Sequence, residues 1–226
     1  MISGASLPCF LKVASFYHEL WAGVLLSLSF VCHVEERWLL SVFFGILALL
    51  VRELALPYVL IMTLYALYQR SFREAIIWCG GLAASALFFS VHAGLVAGVA
   101  QDAEVSANRW LQWGGFTFLL NTARFNAWLL ISPHWVTAFA LPLALLGLAG
   151  WWNTANWRAL MTMLAFVLAF LAVGQTNNVY WGFVYAHFLA IGLVYAGPSL
   201  IDLVRSALSG KVESCNLSQL SSNQGR

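Results

Sequence analysis

From Trp38 to Tyr68 the chain carries only two charges, Arg52 and Glu53, side by side at the centre of a 31-residue apolar stretch in the run LLVRELALPYVL. Charge at membrane depth costs about 2.5–3.5 kcal/mol per residue on insertion scales. A chain keeps it there where it faces a cavity, a partner or a wet site. One continuous helix through the pair would be ~46 Å long, well beyond a hydrocarbon core of ~30 Å. Two short helices over residues 38–51 and 54–68, turning at the pair, remove the mismatch and bring both charges to an interface. This is the preferred reading. The alternative, one long tilted helix, reverses the orientation of everything before residue 38.

Composition agrees with a bilayer. Hydrophobic residues make up 62% of the chain and charged residues 9%, against roughly 25% charged in a soluble domain. Mean hydropathy is +0.81. The expected class is an all-α, polytopic integral membrane protein. A net charge of +2, with no basic stripe interleaved with aromatics, gives no footing for nucleic acid. The four cysteines form no CxxC and no His lies at zinc-finger spacing from them, so they read as apolar filler and no metal is predicted. No cofactor is indicated; the carboxylates admit a divalent metal, but nothing in the pattern requires one. Trp38, Trp110, Trp113, Trp151, Trp152, Trp157 and Trp181 fall near predicted helix ends, as interfacial belts do. The start of the chain lacks a basic region followed by an apolar core and cleavage site, so it reads as a loop feeding a helix rather than a signal peptide.

A spanning helix needs ~20 apolar residues. Seven candidates follow: 20–33, 38–51, 54–68 with Pro57 in its first turn, 75–100, 127–150 (most simply 135–150), 159–173 and 181–200. Residues 1–200 are thus read as one transmembrane helical domain. Residues 201–226 are read as a cytoplasmic, largely disordered tail, on their polar composition. Arg70, Arg73, Arg158, Arg205 and Lys211 fall on one side of this arrangement, which the positive-inside rule makes cytoplasmic. Residues 101–126 lie opposite. They are too polar to span and too apolar for a free loop, and read as an outer amphipathic segment: a plain interfacial helix that packs over the helix ends, or a lid over a lipid-linked substrate with Gly114–Gly115 permitting a hinge.

Under that topology the outer face gathers His18, Glu19, Arg52, Glu53, Asp102, Glu104, Arg109, Arg124, Asn177, Asn178 and Tyr180. The mixture suits an anionic substrate handled near the headgroups. Arginine clamps phosphate oxygens bidentately, and a carboxylate takes a proton from an acceptor hydroxyl. Each residue also has a structural reading. Arg52–Glu53 is equally an ion pair or interfacial anchor, His18–Glu19 a helix start, and Asn177–Asn178 a turn. His33, Glu35, Glu36 and Arg37 read as a solvated inner turn. His92 and His187 read as interhelical hydrogen-bonding groups.

The run FFGILALLVRELALPYVLIMTLYALYQRSFREAIIW resembles the middle of GT-C type membrane glycosyltransferases, as do HELWAG at 18–23 and VYWGFVYAHFLAIGLVYAGPSLIDL at 179–203 in bacterial members of that group. The shared order is an apolar helix ending in an outer basic residue, a turn, a Pro-containing helix and a basic inner loop. Arg52, Pro57 and Arg70–Arg73 stand in those places. The resemblance implies a multi-pass protein of the bacterial inner membrane. It would transfer a sugar from a polyprenyl-phosphate carrier on the extracytoplasmic face, with the lipid-linked donor and membrane lipids as its partners. The family's catalytic carboxylate in the first outer loop has no counterpart here, so the N-terminal catalytic-loop region is expected to be missing from this sequence. Glu19 and Glu53 are then the candidate catalytic carboxylates, in a supporting role. The candidate substrate contacts are Arg52, as donor-phosphate ligand, with His18, Arg109, Arg124, Asn177, Asn178 and Tyr180. A transporter or permease and a non-catalytic membrane subunit are the alternatives.

Overall fold

A computed structural model describes residues 2–10, 16–99, 112–150 and 154–223. All regular structure among them is helical. A short helix α1 (Ile2–Ser6) and a 3₁₀ turn (Leu7–Phe10) precede α2 (His18–Val34), α3 (Trp38–Val51), α4 (Leu56–Tyr68) and α5 (Phe72–Val99). Then come α6 (Gly115–Ala123), α7 (Ala127–Leu130), α8 (His134–Gly150), α9 (Thr154–Ala172), a 3₁₀ stretch (Thr176–Val184) and α10 (Ala186–Asn223).

The stretch from 38 to 68 is two helices. Arg52 caps α3 with its N–H still on the carbonyl of Ala48, then leaves the helix at φ −153°, ψ 123°. A 3₁₀ turn (Glu53–Ala55) follows, and α4 starts with Pro57 in its first turn, where a missing N–H costs nothing. The turns at the other ends of these helices are equally tight. Glu36 and Arg70 adopt φ of 60° and 57°, left-handed values that let a helix reverse within three residues at a cost of roughly 1–2 kcal/mol for a side chain with a Cβ. Consecutive helices therefore run antiparallel. Two ends of the bundle can be distinguished: the Arg52 end, with the start of α2, and the Glu74 end, with the start of α5.

The core fills the space between α2, α4, α9 and α10. Trp78, Tyr58, Phe166, Tyr185, Phe188, Met62 and Met163 are its largest fully buried side chains. Two buried hydroxyls there form a chain: Tyr58 donates to Ser29 Oγ at 2.9 Å, and Ser29 donates to the carbonyl of Ser41 at 2.7 Å. Without such partners each would carry a desolvation penalty of about 1–3 kcal/mol. The α8–α10 pair packs most closely. A Cβ on Gly147 would sit 1.9 Å from the carbonyl oxygen of Gly192, and one on Gly192 would sit 2.3 Å from that of Ala144. Small residues let the two backbones touch, the usual device where apolar helices associate without a hydrophobic driving force.

Among the described residues two helices, α5 over Phe72–Ala97 and α10 over Ala186–Leu208, are long and apolar enough to cross a membrane. The other long apolar helices, His18–Val34, Trp38–Val51, Glu53–Tyr68, His134–Gly150 and Trp157–Ala172, are each at most 17 residues. The face of α5 bearing Ile76, Leu87, Val91 and Leu95 is exposed, as a lipid-facing surface would be.

One expectation is revised. The last span does not begin at Trp181: residues 176–184 form the 3₁₀ stretch, and α10 starts at Ala186 and runs to Asn223. The described part of the amphipathic segment packs against α8, α9 and the 3₁₀ stretch. It forms α6, with Phe118, Leu119, Thr122 and Ala123 buried. Gly114 lies against α9, where a Cβ would meet the carbonyl oxygen of Phe170 at 2.2 Å, and Gly115 holds φ +69°. Those glycines serve close approach and a left-handed backbone.

Candidate functional site

The Arg52 end brings together residues that the sequence keeps apart. Glu19, in the first turn of α2, is buried, with its side chain only 4% exposed. Its Oε1 lies 2.7 Å from Nε of Arg52. The contact is an ion pair of charges in close approach; its angle leaves the Nε–H itself without a hydrogen-bond acceptor. Arg52 also reaches Glu53, Nη1 to Oε1, at 3.2 Å. Glu53 stands at the other extreme of exposure, 58% in its side chain. One guanidinium is thus held between a buried carboxylate that fixes it and an exposed carboxylate free to meet a solute. The local cause is the break at Arg52. A residue leaving α3 in extended conformation projects toward the neighbouring helix start, and α2 offers Glu19 there.

An aromatic cluster forms at the same end of the bundle, around Leu20 and Phe183. Tyr17 packs against Tyr180 and Phe183 at centroid distances of 5.1 and 5.8 Å, and Phe183 meets Phe125 edge-on at 4.8 Å. Tyr180 donates to Asn178 Oδ1 at 3.3 Å, and Asn178 is buried. Asn177 and His18 are exposed. Cys9 packs on the same rings, and burial pushes its thiol up, keeping it in the neutral, less nucleophilic form. A separate cavity of about 140 Å³ opens where α6 meets the 3₁₀ stretch, between Gln112, Trp113, Thr117, Asn121 and Gln175.

Of the other predicted contacts, Arg124 is already engaged by the chain. Its Nη2 donates to the carbonyls of Leu130 and Ser132 at 2.9 and 3.0 Å, and its Nη1 lies 2.6 Å from Nε2 of His134. It staples the α6–α8 connection. Arg109, Asp102 and Glu104 lie outside the described residues.

A second polar cluster, at the Glu74 end, is one that sequence reasoning missed. His33 is not in a solvated turn but sits among Glu74, Arg158, Tyr65 and Trp78. Its Nε2 is 2.9 Å from Oε1 of Glu74, which also accepts from Trp78 Nε1 at 3.2 Å. Nη1 of Arg158 bonds Nδ1 of the same ring. The same Nη1 lies 3.0 Å from Nε2, so the guanidinium sits against both nitrogens of the ring. Arg158 lies 4.6 Å over the Tyr65 ring. The sequence signal was weak: His33, Glu74 and Arg158 belong to three different helices and each looked like ordinary loop charge.

The remaining histidines act locally. His92 stacks on Phe88 at 6.3 Å, while His187 is buried with Nε2 3.4 Å from Ser6 Oγ. Among the described residues no group of three or more His, Cys, Asp or Glu is placed to hold a metal ion.

The chain matches no protein-family model, and no curated protein or solved structure shows significant similarity to it.

Proposed function

We propose that this chain is a seven-span protein of the bacterial inner membrane, with the Arg52 end extracytoplasmic. Its proposed activity is transfer of a sugar from a polyprenyl-phosphate carrier, the reaction of the GT-C glycosyltransferases that its sequence resembles. The observation that carries the reading is the single guanidinium poised between Glu19 and Glu53 at the same end of the bundle as the aromatic cluster. In this reading Arg52 neutralises the donor phosphate, and Glu19 is a positioning residue that holds it. Glu53 takes the proton from the acceptor hydroxyl as that oxygen bonds to the anomeric carbon. The carbon–oxygen bond to the carrier breaks, and polyprenyl phosphate leaves with its charge matched by Arg52. Attack opposite the leaving group inverts the configuration. Tyr17 and Tyr180 supply apolar faces and a hydroxyl to a sugar ring.

Support for the membrane orientation comes from charge. Arg37, Arg70, Arg73 and Arg158 belong to helix starts and turns at the Glu74 end, and arginine-rich short loops are retained in the cytoplasm. The arginines described at the other end, Arg52 and Arg124, are both engaged within the chain.

The test is transfer from polyprenyl-phosphate-linked sugars by membranes carrying the full-length protein. Glu53→Gln should lower transfer at least about 100-fold with the protein level unchanged, because Glu53 is exposed and supports nothing buried. Arg52→Lys, which keeps the charge beside Glu19 but not the fork, should weaken donor use. Transfer by Glu53→Gln at the wild-type rate would remove Glu53 from the chemistry. Absence of transfer by the wild type from any such donor would sink the reading. A permease is the second reading, favoured by the largely buried His33–Glu74–Arg158 cluster. Substrate uptake by vesicles without transfer would establish it instead.

A further inference from the structure

We infer that the Glu74 end holds a binding site for the phosphate of an anionic membrane phospholipid, in the groove between α4 and α9. The inference rests on the membrane-spanning reading above, and not on the transferase chemistry.

The groove encloses about 270 Å³. Ile61, Leu64 and Met161 form its walls, Tyr68 and Trp157 its exposed rim, and Arg158 with Tyr65 its polar end. Arg158 is only 5% exposed, and its charge is incompletely answered by the protein. Nη1 is engaged with the His33 ring, one face of the guanidinium lies on Tyr65, and Nε has no acceptor. The nearby carboxylate, Glu74, accepts instead from His33 and Trp78, and among the described residues no carboxylate forms an ion pair with the arginine. A buried cation in that state is destabilising unless something supplies negative charge.

Phosphate is the group that arginine recognises best, and the groove beside Arg158 is where one can be received. The apolar walls select the source. A free phosphate ion gains nothing from Ile61, Leu64 and Met161, whereas a phospholipid lays its acyl carbons against them. Tyr68 and Trp157 stand where amphipathic rings meet headgroups. Arg70 and Arg73, on the turn into α5, add positive charge to the same end. That is the sign expected to concentrate anionic lipid of the cytoplasmic leaflet.

The experiment is native mass spectrometry of the detergent-purified full chain. It would be titrated with dioleoylphosphatidylglycerol, with dioleoylphosphatidylcholine, and with the former plus inorganic phosphate. The expected result is a preference of about fivefold for the anionic lipid, from one arginine at the headgroup, that phosphate does not compete away. Arg158→Gln should abolish the preference. Leu64→Trp, which fills the groove from an exposed position and leaves the His33 cluster intact, should lower anionic-lipid retention even if Arg158→Gln fails to fold. Equal retention of the two lipids, or a preference surviving Leu64→Trp, overturns the site. Displacement by phosphate reassigns it to a free anion and overturns the lipid. Retention of no phospholipid at all overturns the membrane reading with it.

Discussion

Arg52→Ala, the obvious test of a phosphate-binding arginine, is expected to disturb the fold before it reports on chemistry. Removing the guanidinium leaves Glu19 with its side chain 4% exposed and its one described ion-pair partner gone. Breaking a buried pair by deleting one member costs about 3–5 kcal/mol. At roughly 2–4 °C per kcal/mol for a chain of this size, the melting temperature should fall by roughly 6–20 °C. Glu19→Gln with Arg52→Gln removes both charges and should recover most of the loss. The assay is thermal unfolding of the detergent-solubilised protein at pH 7, followed by circular dichroism. A single Arg52→Ala variant as stable as wild type at pH 7, or a double variant no better than the single, would refute the claim that the Glu19–Arg52 contact is a buried, coupled pair.

Further outcomes are open to direct measurement. A cysteine at position 53, with native cysteines removed, should react with an impermeant thiol reagent in intact cells, while one at position 36 should react only after lysis; the reverse pattern inverts the topology. Gly147→Ala drives a Cβ to 1.9 Å from the Gly192 carbonyl oxygen. It should lower stability by about 1–3 kcal/mol, read as a drop in melting temperature. Arg124→Ala removes the donors to the Leu130 and Ser132 carbonyls. It should destabilise by about 1–3 kcal/mol while leaving donor affinity unchanged; a selective loss of donor binding would return Arg124 to the site.

Reading the chain alone located most helices because their limits are local. The α3 limits, Trp38 and Val51, follow from an apolar run interrupted by charge, and Pro57 marks where α4 begins. The choice of two helices over one was also legible, since a 31-residue helix does not match a bilayer. Where reading failed, a non-local contact had overruled composition. Trp181 belongs to a 3₁₀ stretch because that segment packs into the aromatic cluster with Phe118 and Phe170, at 6.0 and 5.9 Å, instead of extending α10. Arg124 looked like a ligand because its carbonyl acceptors lie in a loop whose path no periodicity reveals.

What the sequence determined by itself is the material of the site: an apolar, helix-forming chain that carries few charges, because an unpaired charge is costly to bury. Which charges meet was decided by the tertiary structure alone. Glu19 answers Arg52 because α2 and α3 run antiparallel, and the start of one therefore lies beside the end of the other. Arg158 reaches His33 across 125 positions of sequence because α9 starts at the end of the bundle where α2 finishes. Ion pairing depends on a few ångströms of separation, and only the packing of helices sets that distance.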